Sequence, residues 1–252
     1  MMRFASLGSG SRGNATVVEA GRTRILVDCG FGPRLAAARL ARLGLAPADI
    51  DAVLVTHEHS DHVGGVAAFA ARHGTPILMT HGTREAAGWN AAVQLFDSHT
   101  PFAVGDLEIS PFPVPHDARE PAQFVFSDGG HRLGLVTDAG HVTSHMVAML
   151  AACDALVLEC NHDAAMLAGG SYPYPLKRRI AGPFGHLDNA AAADLLRQVA
   201  HGGLQHVVCA HLSQENNRAE LATAALAAVL GCTSDWIVAA DQDRGFDWLS
   251  VV

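Results

Sequence analysis

The residues best suited to chemistry in this sequence stand close together in one short segment. His57-Glu58-His59-Ser60-Asp61-His62 places three imidazoles and a carboxylate at the spacing His-x-His-x-Asp-His. Imidazole and carboxylate groups bind divalent first-row metals where no thiolate is offered. Without a cation, so much polarity would be costly to bury beside an apolar strand. The spacing therefore predicts a metal site rather than a solvated histidine-rich loop.

The elements on either side of this segment would hold it in place. An apolar, β-branched run from Ala52 to Val55 predicts a buried strand that ends at Thr56. Gly64-Gly65 then opens an alanine-rich segment to Arg72 that predicts a helix.

Other predicted strands also end in an acidic residue or a histidine. In an α/β sandwich, strand ends that meet at one sheet edge form a natural site for ligands. Several such residues on separate strands are what a dinuclear metal centre needs. They are Asp28, His116, Asp138, Glu159 and His211.

The first strands of the chain contain a glycine-rich motif. Residues 8–13, Gly-Ser-Gly-Ser-Arg-Gly, match the pattern Gly-x-Gly-x-x-Gly, but Ala15 to Ala20 predicts a strand where a dinucleotide fold needs a helix. A β-meander is therefore expected. The loop either offers backbone amides to a phosphate or forms a flexible strand connection.

Further elements follow from periodicity, capping and turn residues. Leu107 to Val114, interrupted by Pro111 and Pro113, predicts an irregular or edge strand. Asp128-Gly129-Gly130 predicts a hairpin turn. The predicted helices are Pro33 to Leu43, Thr83 to Trp89, Thr143 to Ala152, Ala190 to Ala200 after an Asp188 or Asn189 cap, and Asn216 to Leu230.

Composition limits the function classes. With 252 residues, 49% hydrophobic and 17% charged, the chain suits one α/β domain spanning 1–252. A net charge of −8 excludes a basic nucleic-acid coat, so any binding of a polyanion must be local. Five scattered cysteines predict free thiols in a reducing compartment. No apolar run suits a signal peptide or a membrane span, so we expect a cytoplasmic protein with no membrane partner.

The ligand segment, together with later His116, Asp138 and His211, resembles the metallo-β-lactamase superfamily, an αββα sandwich with mixed sheets. The resemblance covers essentially the whole chain. More narrowly, it is similar to the YycJ/WalJ-like branch, whose members are described as metal-dependent 5′-to-3′ DNA exonucleases. The stretches that carry the narrower resemblance are 8–14, 57–62, 116–121, 159–163, 185–187 and 211–217. His211-Leu212-Ser213 is also similar to tRNA-processing ribonuclease Z.

The resemblance implies two divalent metal ions, Zn²⁺, Mn²⁺ or Fe²⁺. It assigns metal site one to His57, His59 and His116, and site two to Asp61, His62 and His211, with Asp138 bridging both. It implies that the catalytic residues are Asp61, His186 and Glu159. His186 would protonate the leaving oxygen at a scissile phosphate, oriented by Glu159.

General chemistry is compatible with these roles. Two cations lower the pKa of a shared water to near neutrality, which would make a metal-bridging hydroxide the nucleophile. A histidine near its usual pKa suits the protonation of an alkoxide. We therefore expect a dinuclear phosphodiesterase, a 5′-to-3′ DNA exonuclease, acting as a monomer or weak dimer. The alternatives are a thioesterase or lactonase using the same metals, and a metal-binding protein without catalysis.

A few features remain open. Lys177-Arg178-Arg179, with Tyr172 and Tyr174, is either a strip that binds a nucleic-acid strand or a solvated helix face. Asp188 stands where relatives of this branch often carry Ser; it is either a neutral helix cap or a modifier of substrate preference. Other open candidates are Trp89 and Asn90 for the cleft, and His162 and Asp163 for supporting the site.

Overall fold

The computed structural model describes residues 1–89 and 92–252, so Asn90 lies outside the described residues. The described strands are β1 (Met2–Gly8), β2 (Ala15–Ala20), β3 (Thr23–Val27), β4 (Ala52–Leu54), β5 (Ile77–Met79), β6 (Gln94–Leu95), β7 (Phe102–Val104), β8 (Leu107–Pro113), β9 (Ala122–Ser127), β10 (Arg132–Val136), β11 (Ala155–Glu159), β12 (His206–Ala210), β13 (Val238–Ala239) and β14 (Phe246–Val251).

These strands form two seven-stranded mixed sheets, ordered β14-β1-β2-β3-β4-β5-β6 and β13-β12-β11-β10-β9-β8-β7. In the first sheet, β1, β2 and β3 are antiparallel neighbours, which confirms the predicted meander, and β3 to β6 are parallel. In the second sheet, β7 to β10 are antiparallel and β10 to β13 are parallel. Each sheet therefore has a parallel half, and the carboxyl ends of the strands in that half lie at one edge of the sheet.

The structure describes nine α-helices, and the four longest of them cover the outer faces of the two sheets. The helices are α1 (Pro33–Arg42), α2 (Ser60–Val63), α3 (Val66–His73), α4 (His81–Ala87), α5 (Ser144–Leu150), α6 (Ala164–Gly169), α7 (Tyr174–Ile180), α8 (Asn189–Val199) and α9 (Ala219–Leu230).

Three buried apolar clusters separate the layers. One, with Phe4 and Phe124, fills the space between the sheets. Another, with Leu40 and Phe69, joins the first sheet to α1 and α3, and a third joins the second sheet to α5, α8 and α9. The layers run helix, sheet, sheet, helix, which confirms the predicted four-layer αββα sandwich with mixed sheets.

Local packing moved several predicted boundaries. The helix predicted from Gly64 begins at Val66, with Gly65 as its N-cap, where a Cβ would lie 1.8 Å from the Phe31 carbonyl oxygen. The turn α2 forms just before it and carries Asp61 and His62. Helix α9 begins only at Ala219.

The predicted irregular or edge strand is β8, which lies between β7 and β9 in the second sheet. It pairs with β9 from Glu108 to Pro113 but with β7 only from Leu107 to Ile109, so its second half pairs on one side within the described chain. Pro111 and Pro113 lie beyond that pairing, where the missing N–H groups break no ladder to β7.

No helix among residues 1–89 and 92–252 has both the length and the apolar character to cross a membrane.

Candidate metal centre

The parallel strands of both sheets deliver polar residues to one shared edge. Asp28 follows β3, Asp138 follows β10, Glu159 ends β11, and His211 follows β12. Asp28, Asp138 and His211 have φ of 60°, 59° and 54°, in the left-handed region that non-glycine residues rarely adopt. Strained backbone of this kind typically collects at functional sites, and here it lies at the ends of strands that meet.

One cluster consists of His57, His59 and His116. The Nδ1 of His59 lies 3.0 Å from the Nε2 of His57 and 3.2 Å from the Nε2 of His116. His57 Nδ1 is 3.0 Å from the Thr56 hydroxyl, and His116 Nδ1 donates to the Gly185 carbonyl over 3.0 Å. Because the Nδ1 atoms of His57 and His116 are held by protein groups, their Nε2 lone pairs face the Nδ1 of His59. Burial, with the adjacent charge of His62, holds the pKa of His57 well below its usual value, so His57 is neutral.

A second cluster consists of Asp61, His62 and His211. His62 Nδ1 donates to Asp28 over 2.7 Å, and its Nε2 lies 3.4 Å from Asp61 Oδ2. His211 Nδ1 donates to Glu159 over 3.0 Å, and its Nε2 lies 3.4 Å from the same Asp61 oxygen. The outer nitrogen of each ring is again anchored, which fixes the ring and raises its basicity as a ligand.

Asp138 lies between the two clusters. Its Oδ1 is 3.9 Å from His116 Nε2, and its Oδ2 is 3.2 Å from His62 Nε2. The carboxylate is 2% exposed, and Oδ2 makes no hydrogen bond within the described residues. A buried carboxylate oxygen without a hydrogen bond, surrounded by imidazoles, fits a cation at this position. The structure brings together all seven predicted ligands in buried His/Asp clusters that suit a dinuclear site.

His186 lies beside these clusters and is anchored to Glu159. Its Nδ1 is 2.8 Å from Glu159 Oε1, while Oε2 accepts the backbone N–H groups of Ala139 and Leu187. Burial disfavours the imidazolium, but the Glu159 charge and hydrogen bond outweigh that cost and raise the pKa of His186. The interaction with His186 likewise outweighs burial at the carboxylate and lowers the pKa of Glu159 to about 2. The geometry fits a protonated imidazole held by a carboxylate.

The glycine-rich loop supports the ligands directly. Ser9 Oγ accepts the His211 backbone N–H over 2.8 Å, and Asn14 Nδ2 donates to Asp61 Oδ2 over 3.3 Å. The backbone amides of Ser9, Gly10, Arg12 and Gly13 all donate within the protein. The loop is therefore a fixed support, and those amides are not free for a phosphate.

Some supporting residues carried no signal in the sequence. Gln242 pins the loop from the other end of the chain, with Nε2 donating to the Gly13 carbonyl and Oε1 accepting the Arg12 N–H, each over 2.9 Å. Asp28 was identifiable as a strand-end carboxylate, but not as the partner of His62. Trp89 packs against the core of the first sheet.

A cavity of about 370 Å³ opens onto the metal-site residues. Tyr172 and Arg179 line it, and Arg179 Nε donates to Asp117 Oδ2 over 2.5 Å. Lys177, Arg178 and Tyr174 line a different cavity, on the opposite face of α7. The predicted basic strip is therefore not continuous, because the helical twist turns successive residues to different faces.

Comparison with known proteins identifies the family. A family model described as a β-lactamase superfamily domain matches residues 23–212. The exodeoxyribonuclease YycJ of Bacillus anthracis is 36% identical over 240 residues, covering 91% of this chain and 89% of that protein. The chain belongs to the metallo-β-lactamase superfamily.

Two further comparisons agree with this membership. The exodeoxyribonuclease WalJ of Streptococcus pneumoniae is 33% identical over 228 residues, covering 87% of this chain and 85% of that protein. The metallo-β-lactamase fold protein YhfI of Bacillus subtilis superposes with a TM-score of 0.75 at 18% identity over 98% of each chain. The resemblance drawn from the sequence is confirmed, and the protein is a metal-dependent hydrolase of this superfamily.

Proposed function

We propose that the protein is a dinuclear metal-dependent phosphodiesterase that degrades DNA from the 5′ end. The observation that carries the proposal is the His186–Glu159 pair, in which a carboxylate anchors the imidazole by Nδ1 at the mouth of the candidate metal centre. The relatives named exodeoxyribonucleases, similar over most of the chain, support DNA as the substrate.

The two clusters support the assignment of the ligands. His57, His59 and His116 would hold one cation, while Asp61, His62 and His211 would hold the other, with Asp138 shared. When bound, two divalent ions supply an acidified water and offset the charge of a phosphate. The chain's own contribution is to fix four of the imidazoles by their outer nitrogens before any metal arrives: His57, His62, His116 and His211.

His186 would act as the general acid. With Nδ1 held by Glu159, the other ring nitrogen, Nε2, remains for the substrate. A phosphodiester leaves an alkoxide, which needs a proton as the P–O bond breaks. The Glu159 charge raises the pKa of His186, which favours the protonated ring, and the hydrogen bond to Glu159 keeps the ring oriented.

The walls of the cavity suit a charged strand. Arg179 places a cation beside the candidate ligands, and Tyr172 adds an aromatic ring. These groups offer phosphate contact and base stacking, the two usual sources of affinity for single strands. Since Ser9 and Gln242, from opposite ends of the chain, support the same site, we also propose that residues 1–252 form one domain.

The test is hydrolysis of 5′-phosphorylated single-stranded DNA with Zn²⁺, Mn²⁺ or Fe²⁺, beside equal concentrations of RNA, a thioester and a lactone. Strands labelled at either end report polarity: a 5′ label is released first as mononucleotide if cleavage starts at that end. Rapid thioester or lactone turnover without DNA cleavage under any metal contradicts the proposal and favours a small-molecule hydrolase.

A further inference from the structure

Helix α7 also forms a wall of a second cavity, which the proposed reaction does not use. This cavity has a volume of about 420 Å³ and lies between α6, α7 and the start of α8. Leu167 and two alanines of α6, with Ala181 just after α7, supply an apolar lining. The polar residues that line it come from α7 and from two backbone segments that meet: His162, Tyr174, Lys177, Arg178 and Asp188.

Two polar side chains in the lining have hydrogen-bonding capacity left over. His162 is 2% exposed, and its Nδ1 has no hydrogen-bond partner within the described residues, unlike the anchored rings of the metal centre. Asp188 caps α8 by accepting the Ala191 N–H on Oδ1 over 2.7 Å. Asp188 Oδ2 makes no hydrogen bond in the described part of the chain. The Asn189 N–H donates to the His162 carbonyl over 3.0 Å, which holds the two backbone segments that carry His162 and Asp188 together.

Helix α7 adds flat and cationic groups at the opening. The Tyr174 side chain is 72% exposed, and the Arg178 guanidinium lies 5.9 Å from its ring centroid. Lys177 Nζ donates to the Ala168 carbonyl over 2.7 Å, which ties α7 to α6 and leaves the ammonium charge at the rim. Planar side chains and cations together suit a base and its phosphate.

We propose that this cavity binds one nucleobase together with its phosphate. The apolar lining and Tyr174 would take the base faces, the free oxygen of Asp188 would accept an exocyclic amino group, and Lys177 and Arg178 would contact the phosphate. An acceptor at this edge favours cytosine, adenine or guanine over thymine, which carries no amino group.

The position of the cavity makes a DNA strand the expected source of that unit. An α-helix with its side chains is about 10 Å wide. A strand lying along the metal cavity therefore passes within one helix width of the second cavity. The expectation that this unit belongs to a DNA strand rests on the proposed function. Binding of a free nucleotide, which has the same chemical groups, does not.

The experiment measures binding to metal-loaded protein by fluorescence anisotropy. The probes are a phosphorothioate oligonucleotide, the same strand made abasic at each position in turn, and free deoxycytidine and thymidine monophosphates with deoxyribose 5-phosphate as the baseless control. The variants are Tyr174→Ala, Arg178→Ala and Asp188→Asn, the last chosen because Asn also caps helices. Arg34→Ala, on exposed surface of α1, is the matched charge control.

We expect one abasic position to weaken binding about tenfold, the scale of a base-stacking contact. Tyr174→Ala should cost a similar factor on the intact strand and nothing further on that abasic strand. Asp188→Asn should reduce the preference for cytosine over thymine there. If free nucleotides show the same dependence on Tyr174 while no abasic position matters, the base site stands and its occupant is a free nucleotide.

Equal losses from Arg34→Ala and Arg178→Ala, with no abasic-sensitive position and no Tyr174-dependent nucleotide binding, overturn the proposal. The two hypotheses fail separately. DNA cleavage with neither a base-sensitive position nor Tyr174-dependent nucleotide binding contradicts the base-site proposal only. Base-sensitive binding without any DNA cleavage contradicts the exonuclease proposal only.

Discussion

The two cavities on either side of α7 hold their charges in different ways. In the metal cavity, Asp138 and Glu159 are almost fully buried, and each carboxylate touches at least two imidazoles. Among the polar residues that line the second cavity, Arg178 is exposed and His162 alone is deeply buried. The first set of groups is a mutually dependent network, whereas the second is a collection of separate contacts.

This difference predicts the size of mutational effects. Removing one member of a buried charge network leaves its partners uncompensated, so effects are large and not additive. Exposed contacts are screened by solvent, and each one contributes little. The effects of substitutions should therefore become smaller from the centre of the metal cavity to the second cavity.

The largest effect is expected for Asp138→Ala. Loss of the shared carboxylate should reduce the metal content from two ions to one or none and bring hydrolysis to background. Elemental analysis and DNA cleavage, measured on the same sample, check both consequences. Asp194→Ala removes an exposed carboxylate on α8 and should keep both. A Asp138→Ala variant with two bound metals would contradict the shared position of this residue.

His186→Ala should separate chemistry from metal binding. Loss of a general acid costs about 10²- to 10⁴-fold in rate, and both metals should remain. The loss should be much smaller on bis(p-nitrophenyl) phosphate, whose leaving group needs no proton. If metal content falls instead, His186 is a ligand and the general-acid role is wrong.

Glu159→Gln should change the pH dependence. The charge of Glu159 raises the pKa of His186, and activity that needs the imidazolium is lost as pH rises through that pKa. Without the charge, the alkaline limb of kcat/KM should move to lower pH, with a loss of about tenfold near neutrality. Glu220→Gln, an exposed change, should leave the profile in place. If the alkaline limb does not move in Glu159→Gln, the pKa that it reports belongs to a group other than His186.

The smallest effects on KM are expected for Arg178 and Arg179, two neighbouring residues on α7. Arg179→Ala should raise KM for DNA about fivefold, since it removes a cation from the metal cavity. Arg178→Ala, on the opposite face, should raise it about threefold. Steady-state kinetics on DNA and on bis(p-nitrophenyl) phosphate give the comparison. Equal losses from both variants on the small ester would show that the cavities are not separate.

The sequence by itself determined the class of site and most of the fold. The pattern His-x-His-x-Asp-His specified the metal chemistry, because these residue types at this spacing have few other uses. Strands ending in Asp138, Glu159 and His211 predicted convergence, because carboxyl ends of parallel strands share an edge. Asp188 as the cap of α8 was one of two options in the sequence, and the structure selects it.

Only the tertiary structure decided which groups support the metal ligands and on which face of α7 each basic side chain lies. Asn14, Asp28 and Gln242 reach the site across long sequence separations, so no local pattern shows which part of the site each one contacts. The run Lys177-Arg178-Arg179 is uniform as a sequence, yet a turn of about 100° per residue divides it between two cavities. Local spacing determines which functional groups a segment carries. The packing of distant segments determines which cavity, and therefore which ligand, those groups contact.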